Sequence, residues 1–102
     1  WINGEVVKLL NPKTPHMGWN SITNLDHRIT KGINFKEGFY FLHSYKCIPM
    51  EKNVISILSD YSETISSIVI KDNIIGIQFH PEKSHSNGVQ IFRNFNNLLK
   101  NE

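Results

Sequence analysis

The sequence predicts an α/β chain, mostly antiparallel strands closed by one C-terminal helix. Three observations carry this. Val89, Phe92, Phe95, Leu98 and Leu99 recur at spacings of three and four, one apolar stripe of an amphipathic helix. Residues 65–70 and 74–79 are β-branched runs split by Lys71, Asp72 and Asn73, a polar turn that reads as a hairpin. Residues 38–45 are rich in aromatics, and residues 54–58 form a further short strand candidate.

In chain order, residues 5–10 read as a strand closed by Asn11 and Pro12. Residues 23–35 have weak periodicity, and no element is assigned there. The aromatic strand, the short strand and the hairpin follow. In the final helix, Arg93, Asn94, Asn96, Asn97 and Lys100 fill the polar face. Ser84 or Ser86 supplies an N-cap, and Lys100 lies near the C-terminus, where the helix dipole favours a cation.

Composition sets the outer limits. The 102 residues, 39% of them hydrophobic, fit one small domain, so residues 1–102 are read as a single unit. Eleven Lys+Arg against nine Asp+Glu give a net charge of +2, too mild to imply nucleic acid or an anionic membrane as partner. No apolar run spans a bilayer, and no secretory signal is visible. One cysteine, Cys47, makes neither an internal disulfide nor a multi-cysteine zinc site. A cytoplasmic setting is expected. The chain opens on Trp1 rather than Met, which implies a processed chain or a fragment.

The sharpest local feature is Gln78-Phe79-His80-Pro81-Glu82-Lys83-Ser84, where a buried strand ends and a helix is about to begin. Strand ends hold side chains rigidly while the loop exposes them. Pro81 pushes His80 toward extended backbone. Residues two apart in an extended segment project to one side, so His80 and Glu82 are expected to meet. Such a pair makes a base and its orienter: histidine takes a proton from a nucleophile, and carboxylate fixes the tautomer. The alternative is that both simply cap the coming helix or face solvent. A zinc site of His80, Glu82 and His85 matches no familiar ligand spacing.

Two further clusters stand out. Pro15-His16-Met17-Gly18-Trp19-Asn20 joins a permissive glycine to an amphipathic ring of the kind that anchors interfaces. Its alternative is a core tryptophan beside a turn. The aromatic strand ends in His43-Ser44-Tyr45, polar groups able to hold a small ligand, or else an ordinary strand running into a loop. Cys47 follows Lys46 but precedes Ile48-Pro49, with no glycines around it and no helix after it. The sharp turn that exposes a nucleophile is absent, so Cys47 reads as a bystander thiol.

Taken together, these three clusters resemble the C-terminal half of a class I glutamine amidotransferase, from Pro15 to about Phe95. The Gln-Phe-His-Pro-Glu stretch marks the broad class. The Met-Gly-Trp-Asn cluster marks a narrower resemblance, to glutaminase subunits of imidazole glycerol phosphate synthases. The resemblance implies part of a flavodoxin-like domain, glutamine hydrolysis by a Cys-His-Glu triad, and no cofactor or metal. His80 and Glu82 match the family's catalytic histidine and glutamate. Ser44 and Tyr45 match the pair that helps hold glutamine. Trp19 and Lys83 match positions facing the partner, a (β/α)8-barrel cyclase that receives the ammonia in histidine biosynthesis. The assembly implied is a heterodimer.

The family's nucleophile sits in a Gly-x-Cys-x-Gly elbow upstream of the tryptophan cluster, and this sequence lacks it. The 102 residues alone are therefore expected to be inactive, and to expose an apolar surface that promotes association. Two other functions stay open. One is ammonia supply for surface-polysaccharide aminosugars, toward which Lys83-Ser84-His85 leans. The other is a non-catalytic partner-binding remnant.

Overall fold

The computed structural model describes residues 2–10, 16–23, 27–61 and 63–100. Trp1, Asn11, Pro12 and Pro15 lie outside the described residues. The described elements are β1 (Gly4–Lys8), β2 (His16–Asn20), a 3-10 turn (Arg28–Thr30), β3 (Phe39–His43), β4 (Tyr45–Pro49), β5 (Ile55–Asp60), β6 (Thr64–Lys71), β7 (Ile74–Ile77), a second 3-10 turn (Pro81–Lys83) and α1 (His85–Lys100). Every described strand pairing is antiparallel: β1 with β4, β2 with β3, and β5-β6-β7 in one sheet. Antiparallel strands with a C-terminal helix are thus the architecture found. No described helix is long and apolar enough to cross a membrane.

The β6–β7 hairpin forms where the sequence places it. Lys71 pairs with Ile74, leaving Asp72 and Asn73 as the loop. Asp72 takes a left-handed φ of 54°, which a short polar side chain tolerates. Between Ile57 and Leu58 the β5–β6 register shifts, so Ser67 is the extra residue of a bulge. Its carbonyl accepts the Gln78 N–H at 2.9 Å. The bulge thereby ties β6 to the segment that leaves β7 and leads to His80.

The aromatic segment differs from the single strand expected. It divides at Ser44: β3 pairs with β2, and β4 pairs with β1. In β3, Phe39 and Phe41 point into the core, while Tyr40 and Leu42 point outward. Phe79 stacks on Phe39 with ring centroids 4.0 Å apart and meets Phe41 edge-on. Ile29, Ile57, Ile68 and Ile91 complete the same core. Strand β2 lies where the sequence reading assigns no element. Its Gly18 has φ 114° and open space where a Cβ would stand, so it serves backbone shape rather than close approach.

Helix α1 is where expected, but of the expected stripe only Leu98 packs against the core. Asn87, Gly88, Ile91 and Asn94 are buried. Val89, Phe92 and Leu99 are about half exposed, at 53%, 58% and 50%. Hydrogen bonding explains the rotation. Asn87 donates to the carbonyls of Asn34 and Gly38, and its own oxygen accepts the Asn34 N–H. Asn94 donates to the carbonyls of Ile29 and Lys31. The Gly38 and Ile29 carbonyls are buried and require partners, and the asparagines supply them. Gly88 sits where α1 crosses the second 3-10 turn, and a Cβ there would collide with the Pro81 carbonyl.

Neighbouring helix positions should therefore behave oppositely in the 102-residue chain. Ile91→Ala should cost about 2–5 kcal/mol by cavity formation. Phe92→Ser should change stability by less than ~0.5 kcal/mol. Urea unfolding of the two variants checks this; equal losses would mean that the stripe is packed.

Candidate active site

The site is built where residues 78–84 lie across β3. The Phe79 ring enters the core, so the backbone on either side must follow the sheet. His80 donates its N–H to the Tyr40 carbonyl at 2.9 Å. The Ser84 hydroxyl, fully buried, accepts the Tyr40 N–H at 3.0 Å and donates to the His80 carbonyl at 2.7 Å. Ser84 immediately precedes α1, yet its side chain serves this clamp rather than the helix end. Both backbone groups of Tyr40 and both of His80 are thereby held against β3.

His80 and Glu82 do meet. His80 Nδ1 lies 3.3 Å from Glu82 Oε2. The route differs from the extended one expected. His80 is extended (φ −98°, ψ 98°), but Pro81–Lys83 curls into the 3-10 turn, which brings Glu82 back toward the ring. With Nδ1–H donating to the carboxylate, Nε2 is left bare as the basic atom. The side chains are 36% and 62% exposed, so the pair adds little to stability. Its geometry suits base and orienter. The His80 hydrogen bond, first among several causes, holds the Glu82 carboxyl below its usual 4.5.

Ser44 is the one residue between β3 and β4, and its carbonyl accepts the Leu9 N–H. Tyr45 opens β4 and is 54% exposed. The two form a polar corner at the end of the strand that carries Tyr40. Burial holds the pKa of His43, beside that corner, below its ordinary value, and the charge of His80 acts in the same direction.

Trp19 and Lys83 both meet the ring of Tyr40. Trp19 meets Tyr40 edge-on at 6.2 Å, and Lys83 Nζ lies 5.9 Å over the same ring. His85 joins this patch, 5.2 Å from the Trp19 ring, rather than joining His80 and Glu82. Among the described residues no group of three or more His, Cys, Asp or Glu side chains is placed to hold a metal. Cys47 is free and half-buried in mid-β4, opposite Val6. Neighbouring Lys46 is ion-paired to Glu63 at 2.8 Å. Among the described residues, neither the turn nor the free cation that would activate a thiol lies at Cys47.

Sequence reasoning did not find the Ser84 clamp, nor a hydrogen bond between His16 and His43. The latter pair was legible only through the register that sets the two residues opposite each other.

An antiparallel scaffold presenting a histidine–carboxylate pair at a strand end fits a hydrolase site of the acyl-transfer kind. The description of the class-I glutamine amidotransferases matches residues 2–98, and the chain belongs to that family. The imidazole glycerol phosphate synthase subunit HisH of Pelagibacter ubique (strain HTCC1062) is 48% identical over 103 residues, covering 96% of this chain and 50% of its own length. Subunit HisH 2 of Pseudomonas aeruginosa is 42% identical, covering 97% and 51%. HisH of Pyrococcus furiosus is 43% identical, covering 93% and 50%. The chain spans about half the length of the curated relatives it matches.

The Glu82 carboxyl should titrate below 4.5 and return toward that value in His80→Ala. A depressed carboxyl keeps its contact at neutral pH and loses it only as pH falls through the lowered value. Carboxyl carbon NMR across the acid range checks this; an unchanged midpoint in His80→Ala would show that the pair does not interact in solution.

Proposed function

We propose that this chain carries the histidine and glutamate of a glutaminase triad. The complete protein hydrolyses glutamine and delivers ammonia to a cyclase that makes imidazole glycerol phosphate, a step of histidine biosynthesis. The observation that carries this reading is the His80–Glu82 contact on a segment clamped to β3, in a chain similar to HisH subunits over nearly its whole length. Residues 1–102 are then one part of a single amidotransferase domain.

The chemistry follows from the tautomer. His80 Nε2 takes the proton of a cysteine thiol supplied by the remainder of the domain, and the thiolate attacks the side-chain amide carbon of glutamine. His80 protonates the departing nitrogen, which leaves as ammonia. Water, deprotonated by the same Nε2, then cleaves the thioester to glutamate and restores the thiol. Glu82 holds the ring and steadies the imidazolium between these transfers. Ser44 and Tyr45 hold the glutamine beside His80. The patch of Trp19, Lys83, Tyr40 and His85 faces the (β/α)8 cyclase, the second chain of a heterodimer. Ammonia released there meets its acceptor before water can protonate and dilute it.

In this reading the apolar stripe of α1, half exposed here, is covered by the rest of the domain. Cys47 has no part in the reaction, and the 102 residues alone do not hydrolyse glutamine.

The test is glutamate release by the complete protein with its cyclase. His80→Ala should lower kcat at least ~100-fold, the loss expected of a missing general base. Glu82→Gln should fall between His80→Ala and the parent, because the amide still holds the ring without stabilising its charge. Cys47→Ser should leave the rate unchanged. Full activity in His80→Ala, or release of glutamate by the isolated 102 residues above a His80→Ala control, would overturn the assignment.

A further inference from the structure

His16 has no role in the proposed chemistry, yet it is only 2% exposed and both its ring nitrogens are engaged. Its ring lies between Phe41 and Tyr61, with centroids 4.6 and 3.9 Å away and planes within 16° of parallel. A phenylalanine would fill such a slot without desolvating two polar nitrogens. Something other than packing accounts for an imidazole there.

The hydrogen bonds identify it. The Tyr45 carbonyl can only accept, so the His43 Nδ1 that lies 2.8 Å from it carries a proton. A neutral His43 then has a bare Nε2. His16 Nδ1, 2.9 Å from that atom, must be the donor. That leaves His16 Nε2 bare, and it faces the Asn20 amide nitrogen, a donor only, at 3.4 Å. The other Asn20 amide hydrogen goes to the Asp60 carbonyl at 2.9 Å. One directed chain thus runs from Asn20 through His16 and His43 to the carbonyl of Tyr45. Burial lowers the pKa of both histidines, that of His16 to about 4, so the chain is intact at neutral pH.

We propose that His16 is a positioning residue for the edge that holds glutamine, an inference resting on the function proposed above. By donating to His43 Nε2, His16 fixes that ring's rotamer and tautomer, and the opposite nitrogen of the ring pins the Ser44–Tyr45 corner. This corner is where the chain passes from its pairing with β2 to its pairing with β1. Without the donor, His43 can rotate or swap its proton, and the corner loses its tie.

The test compares two variants in the complete protein bound to its cyclase. His16→Phe keeps the stacked ring and removes the donor. His16→Asn loses the ring but keeps an amide nitrogen the same number of bonds from Cβ as Nδ1. His16→Phe should raise KM for glutamine about tenfold or more, with kcat changed less than about threefold, the signature of lost binding contacts. His16→Asn should keep KM within about threefold of the parent although it melts at a lower temperature. A KM that rises in step with lost stability, with His16→Asn the worse of the two, would reduce His16 to packing and overturn the proposal. Imidazole nitrogen NMR of the parent reads the tautomers directly: Nδ1–H on both His16 and His43 is expected, and Nε2–H on His43 overturns the proposal by itself. A parent complex that fails to hydrolyse glutamine overturns the functional reading instead, and with it the ligand assigned to this corner.

Discussion

One buried hydroxyl holds the histidine to the sheet. Ser84 satisfies the Tyr40 N–H and the His80 carbonyl at once, two backbone groups that would otherwise be unpaired beside the core. The Phe79–Phe39 stack presses the same segment inward from the other side. Between these two contacts His80 has almost no freedom of backbone, while its ring still reaches solvent. Rigidity beneath and exposure above are what a base needs when it must meet a substrate in one orientation. Gly88 belongs to the same arrangement, since α1 can approach Pro81 only where no Cβ intervenes.

Polar groups, more than apolar ones, decide how the pieces fit. Helix α1 is oriented by Asn87 and Asn94, which satisfy the carbonyls of the segment before β3. Its strongest apolar stripe stays half exposed as a consequence. A Ser67 bulge steers the chain after β7 toward β3. A chain of two histidines and an asparagine links β2 to the corner at Ser44. Each device fixes a backbone segment, and each depends on directed bonds that apolar packing alone would leave loose.

Much of this was legible in the sequence for identifiable reasons. The β6–β7 hairpin was readable because β-branched runs and a polar turn are local signals. The meeting of His80 and Glu82 was readable because Pro81 restricts the backbone, although a 3-10 turn rather than an extended strand brings them together. The common patch of Trp19 and Lys83 was readable only through resemblance, since 64 residues' separation carries no local signal. The face of α1 was misread because periodicity ranks apolar residues and cannot see carbonyls waiting for an asparagine. Strand β2 was missed because five residues with a glycine at their centre carry little strand signal, and with it went the pairing that sets His16 opposite His43.

The most direct measurement is a crystal structure of the complete protein, bound to its cyclase and labelled by an electrophilic glutamine analogue. The account predicts a thioether on a cysteine other than Cys47, with His80 Nε2 within about 3.5 Å of the sulfur or of the leaving-group position. Ser44 and Tyr45 should lie against the glutamyl part of the label. A labelled cysteine with His80 turned away from it, or a label on Cys47, would contradict the account.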